Sequence, residues 1–124
     1  MKKVIFVSAL AIFIFISCSK SGTTAGGGSG GGGGTSTDCS TVTNKAFAAD
    51  VSPIISSTCA INAGCHATGS GNGPGPLTNY TQIFAARSTI RSSVSSGSMP
   101  KNSTLTTGQK NSIICWIDSG APNN

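Results

Sequence analysis

Apolar positions along this chain fall into three regimes. From Val4 to Ile16 they run almost unbroken, with only Ser8 polar. From Ser21 to Thr37 they vanish: glycine, serine, threonine and one alanine leave no large apolar side chain and no charge. From Phe47 onward they recur at helical spacing, and four helical segments can be read. Phe47, Val51, Ile54 and Ile55 stand at i, i+4, i+7 and i+8, one face of a helix. Pro53 interrupts that face, and Ser52 is placed to cap a new turn, so a bend is expected there. Tyr80, Ile83, Phe84, Arg87, Ile90 and Val94 mark another helical stretch starting near Asn79. Its later part is serine-rich and weakly helix-forming, which predicts splitting or fraying. The best-defined helix is the last. Thr106 and Gln109 fit a capping box, Ile113, Ile114, Trp116 and Ile117 form a broad apolar stripe, and Gly120 and Pro122 supply the stop.

No stretch alternates in the manner of a strand, so the expected class is all-α, with short helices and long loops. The longest loop lies between Cys65 and Thr78, punctuated by Gly69, Gly71, Gly73, Pro74, Gly75 and Pro76. A long structureless loop in a small domain usually serves a site.

The N-terminal regime is a secretion signal: Lys2 and Lys3 precede an apolar run too short to span a bilayer comfortably. It closes with Phe15-Ile16-Ser17-Cys18, which resembles the lipobox of bacterial lipoproteins. The resemblance implies removal of residues 1–17 and lipidation of Cys18, where several acyl chains give stable membrane anchoring. Residues 18–37 then form a flexible linker that cannot bury enough surface to offset its ordering entropy. As a random coil its glycine-rich part spans about 20–25 Å. No phosphate-binding loop is read there, because no strand precedes the glycines and no GK[ST] follows. The position after Cys18 is Ser19, not the acidic residue associated with inner-membrane retention, which mildly favours the outer membrane.

Residues 38–124 remain as one small domain. They carry Lys45, Arg87, Arg91, Lys101 and Lys110 against Asp38, Asp50 and Asp118, a net charge of only +2. This charge is no evidence for nucleic-acid binding, which would need a clustered basic face, and no nucleic-acid partner is expected. Phe47, Tyr80, Phe84 and Trp116 are the only aromatic residues of the domain. So small a core is expected to need staples, from cysteines or a cofactor.

The chemistry concentrates in Cys59-Ala-Ile-Asn-Ala-Gly-Cys65-His66. His66 is the chain's one histidine, and Met99, in Gly97-Ser98-Met99-Pro100, is the one methionine beyond the signal. Two thiols, an adjacent imidazole and a distant thioether are the elements of a covalent haem site. Thiols add to the vinyl groups, the imidazole binds one face of the iron and the thioether the other. A histidine–methionine pair favours the ferrous state and suits electron transfer.

On these residues the domain resembles the cytochrome c family, in particular small cytochrome-like domains of Gram-negative lipoproteins. The similarity covers most of residues 39–124. It rests on Cys59…Cys65-His66, the glycine-rich loop ending Gly75-Pro76-Leu77, Tyr80, Gly97-Ser98-Met99-Pro100 and Trp116-Ile-Asp-Ser-Gly-Ala-Pro122. It implies haem c attached at Cys59 and Cys65, His66 as proximal ligand and Met99 as distal ligand. It also implies that a proline carbonyl, of Pro76 or Pro74, accepts the other N–H of His66. The sequence departs from the family in having five residues between the cysteines, Ala60 to Gly64, where two are usual. Haem vinyl groups are a fixed distance apart, so the extra residues must bulge out.

Each element also has a plainer reading. Cysteine pairs in small exported domains are commonly disulfides. Cys39, before the first helix, and Cys115, in the last, would clasp the ends of the fold. Cys59–Cys65 as a second disulfide stays open. Arg87 and Arg91, one turn apart, are a solvated face or partners of haem propionates. A copper site from His66, Met99 and a thiol lacks the second histidine of blue-copper centres. The expected function is thus a membrane-tethered electron carrier rather than an enzyme, serving redox protein partners in the periplasm or at the cell surface. Its haem would complete the core against Phe47, Ile54, Phe84 and Trp116. The alternative is a cofactor-free, disulfide-stapled binding or structural lipoprotein domain.

Overall fold

A computed structural model describes residues 37–124. The segments expected as signal peptide (1–17) and linker, with the expected lipidation site at Cys18, lie up to residue 36 outside the described residues. Among those described, no helix is long and apolar enough to cross a membrane. The elements are a π-helical turn, Phe47–Val51, followed by four α-helices. These are α1 (Ser52–Thr58), α2 (Tyr80–Ala85), α3 (Arg87–Ser96) and α4 (Thr107–Asp118). No strand occurs among the described residues, so the all-α class stands.

At Pro53, where a bend capped by Ser52 is expected, the π-helical turn passes directly into α1, and Ser52 is itself helical and makes no side-chain capping bond. Val51 N–H reaches back five residues to the Ala46 carbonyl at 3.1 Å, and Ser52 N–H does the same to Phe47. Proline lacks an N–H and its ring crowds the carbonyl four residues earlier, so widening the preceding turn relieves both problems. The second stretch splits at Ala86, earlier than the serine run. Asn79 caps α2 by accepting Gln82 N–H at 3.1 Å, and Gly97 closes α3 in the left-handed region at φ 74°. The capping box of α4 forms as expected: Thr106 accepts from Gln109 N–H at 3.2 Å, and Gln109 accepts from Thr106 N–H at 2.9 Å.

The core centres on Trp116, which is fully buried. Phe47 meets Tyr80 edge to face at 5.0 Å and lies tilted against Trp116 at 5.4 Å between ring centroids. The tail after α4 then returns over this cluster. Gly120 (φ 97°) and Ala121 (φ 52°) turn the chain, Trp116 Nε1–H donates to the Pro122 carbonyl at 2.9 Å, and Tyr80 O–H donates to Ala121 at 2.9 Å. Asn124 reaches the start of the π-helical turn. Its side chain accepts Phe47 N–H at 2.8 Å and its backbone oxygen accepts Ala48 N–H at 2.7 Å. These donors would otherwise be orphans at a helix start.

Cys39 and Cys115 form a disulfide with a 2.07 Å bond, closing 76 residues of sequence. Arg91 and Asp118 join α3 to α4 through two hydrogen bonds, at 2.6 and 2.9 Å. Arg91 holds the Asp118 carboxyl below the ordinary carboxylate range. Arg87 instead lies over the Phe84 ring at 4.0 Å. The core therefore closes on side chains, a disulfide and the tail.

Candidate functional site

The site is built where α1 ends. Cys59 N–H still donates to Ile55 at 2.8 Å, and the chain then leaves the helix. Cys65 and Ala67 N–H groups both donate to the Asn62 carbonyl, at 3.0 and 3.1 Å, folding Ala60 to Gly64 into a compact loop. His66 N–H donates back to the Cys59 carbonyl at 3.0 Å. This bond ties the two ends of the five-residue insertion together and loops the insertion outward, with Ile61 to Gly64 exposed. The extra residues thus bulge out, while Cys59 and the Cys65-His66 pair stay joined at its base.

The glycine-rich loop packs onto this base. Asn72 Nδ2–H donates to Gly64 at 2.8 Å, the Ser70 hydroxyl donates to the Cys65 carbonyl, and Leu77 N–H donates to the His66 carbonyl at 2.7 Å. His66 is buried, with 8% of its surface exposed. Its Nδ1 lies 2.9 Å from the Gly75 carbonyl. The proline expected as this partner is corrected: neither Pro74 nor Pro76 supplies the carbonyl, but the glycine between them. Gly75 sits at φ 89°, a left-handed conformation that a proline ring forbids. That turn aims its carbonyl at the imidazole.

A carbonyl can only accept, so Nδ1 carries the proton and the Nε2 of the neutral ring keeps a lone pair. Nε2 has no hydrogen-bond partner among the described residues. The second-sphere bond also fixes the ring's orientation.

His66 opens onto a cavity of about 600 Å³, within the range of ligand sites. Cys59, Cys65 and Met99 line the same cavity. Met99 arrives from the left-handed turn at Gly97 after α3, its N–H bonded to Ser93 at 3.3 Å. Ile55, Leu77, Ile90 and Val94 supply apolar walls. The aromatic residues expected to pack on a haem do not: Phe47, Phe84 and Trp116, like Ile54, lie outside this lining, because the Trp116 cluster is already closed by the tail. Arg87 and Arg91 do not reach it either.

Cys59 and Cys65 are free thiols, both half-buried, so the second disulfide left open by the sequence does not form here. Burial pushes the Cys59 thiol up, partly offset by its contact with the Thr58 hydroxyl at 3.5 Å, and Cys65 raises it further. Among the described residues, no three of His, Cys, Asp and Glu come together as an all-protein metal site. The sequence offered no signal for Ile90, Val94 or Lys101 as cavity residues, since a helix face and an exposed loop look alike whether or not a cavity lies beneath.

No known protein family, curated protein or solved structure matches the chain. The geometry of the cavity is what bears on its function.

Proposed function

We propose that the domain is a c-type haem protein that carries single electrons, tethered to a membrane through Cys18 and the glycine-rich linker. The observation that carries this reading is the gathering of His66, Met99, Cys59 and Cys65, 40 residues apart at the extremes, around one cavity. Base rates favour none of these residues singly as ligands, but their convergence supplies the full donor set.

The residues fit the group. The His66 ring offers an unpartnered Nε2 as a nitrogen ligand, held by the Gly75 carbonyl at Nδ1. Met99 offers a thioether, a soft ligand that raises the reduction potential. Cys59 and Cys65 would each add sulfur and hydrogen across a vinyl group, which consumes a protonated thiol and releases nothing. The raised thiol of Cys59 is kept in that protonated form by its burial. The bond from His66 N–H to the Cys59 carbonyl brings the ends of the five-residue insertion together, which supports attachment at both cysteines despite the longer spacing. The bound group supplies reversible one-electron exchange. Apolar walls from Ile55, Leu77, Ile90 and Val94 would limit water around it, and with His66 and Met99 both holding the iron no position would remain for a substrate, so a carrier is favoured over an enzyme.

Redox protein partners at the membrane surface or in the periplasm follow from this reading, with the linker giving the domain reach. Expression with haem-attachment machinery tests it. The purified chain should show a reversible one-electron couple. Met99→Ala should lower the potential and open a coordination position to added ligands. An unchanged spectrum and potential in that variant would exclude Met99 as ligand, and a chain with no reversible couple would exclude the carrier.

A further inference from the structure

One side chain on the cavity is conspicuous by its charge. Among the described residues, Lys101 is the only lysine or arginine lining it, and no carboxylate lines it. Every other cationic side chain among the described residues is engaged. Lys45 donates to the Cys39 carbonyl at 3.0 Å, Lys110 to Ser95 at 2.9 Å and Arg87 to Phe84 at 2.8 Å, while Arg91 pairs with Asp118. Lys101 has no protein partner among these residues. The three carboxylates are likewise committed elsewhere. Asp38 accepts from Ser40, Asp50 from Ala46 N–H at 2.9 Å and Asp118 from Arg91. Directly after Lys101, Asn102 and Ser103 also line the cavity, adding an amide and a hydroxyl.

We propose that Lys101, with Asn102 and Ser103, binds the carboxylates of the tetrapyrrole, an inference that rests on the haem reading and assigns the ligand's orientation within the cavity. A tetrapyrrole disc is apolar except for its two propionates, and burying an anion among Ile55, Leu77, Ile90 and Val94 without a partner is costly. The segment 101–103 is exposed, so it receives carboxylates that stay in contact with water while the ring enters the apolar part. Arg87 and Arg91, the cations that helical spacing offered for this role, are occupied by Phe84 and Asp118. Asparagine and serine donate to carboxylate oxygens without competing for the charge, and an ammonium forms a charge-assisted bond to them.

The test uses the full chain in detergent, produced without attachment machinery and with Cys59 and Cys65 reduced. It is titrated with haem and with haem dimethyl ester, whose carboxylates are masked, following the Soret band. Lys101→Gln should weaken haem binding about fivefold, the size of an ion pair at an exposed rim, and leave the ester's affinity unchanged. Lys101→Arg should restore haem affinity, and Lys110→Gln, elsewhere on the surface, should not alter it. Equal haem affinity in the wild type and Lys101→Gln would overturn the assignment, as would an equal loss in Lys110→Gln. A wild-type chain that binds neither ligand would sink the haem reading and this assignment with it.

Discussion

Around Trp116 the chain closes on itself, whereas around His66 it closes on a space. In the first region the indole N–H, the Tyr80 hydroxyl and the first donors of the π-helical turn all find partners in residues 121–124, and the Cys39–Cys115 disulfide lies alongside. In the second, backbone bonds are just as orderly, but they arrange an imidazole, two thiols and a thioether around a cavity. The contrast is between contacts the protein makes entirely with itself, around Trp116, and contacts that line an open space, around His66.

That division can be broken most severely at the disulfide. Replacing Cys39 and Cys115 by serine should cost about 4 kcal/mol in urea unfolding, because a long loop is released in the unfolded chain. Trp116→Phe should cost about 2–3 kcal/mol, through lost volume and an unpartnered Pro122 carbonyl, measured the same way. Tyr80→Phe removes one hydrogen bond to Ala121 and should cost about 1 kcal/mol. On the other side, Met99→Ala should change the stability of the ligand-free chain by less than about 1 kcal/mol, since Met99 is half-buried and faces the cavity. A loss as large as that of Trp116→Phe would show that the cavity region supports the fold after all.

The smallest effect belongs to the ion pair that joins α3 to α4. Its side chains are 46% and 36% exposed, so Arg91→Gln should cost under about 1 kcal/mol at neutral pH. Asp118 is held below its ordinary value of 3.8 by the bond from Arg91. A carboxyl with a lowered folded value stabilises fully above its unfolded value and loses that contribution as pH falls through the folded one. The gap between wild type and Arg91→Gln should therefore stay level from pH 7 to about 5 and shrink below about 4. A gap that widens on acidification would contradict this assignment.

Much of the helical skeleton was legible because its signals are local. The Thr106–Gln109 capping box depends on a few neighbouring residues and forms as read, whereas Pro53 is met by a π-helical turn with Ser52 inside the helix, not by a Ser52 cap. The split at Ala86 was anticipated in kind but not in place. The site was legible as a set of residue types, since a lone histidine beside a cysteine and a lone methionine are few enough to pair by elimination. Its details were not. The acceptor for His66 is Gly75 because a left-handed turn aims that carbonyl, and no spacing rule distinguishes it from the prolines on either side. The cavity walls come from Ile55, Ile90 and Val94 instead of the aromatic residues, because the tail from Gly120 to Asn124 covers the Trp116 cluster. Such coverage is a long-range contact that periodicity does not register.

Covalent attachment is decided by whether haem stays with the polypeptide after the fold is gone. The chain is expressed with haem-attachment machinery, denatured and separated from free haem, and its visible absorbance is measured. Absorbance should remain with the wild-type chain and be lost when Cys59 and Cys65 are both replaced by alanine. A denatured wild-type chain that is colourless would contradict covalent attachment.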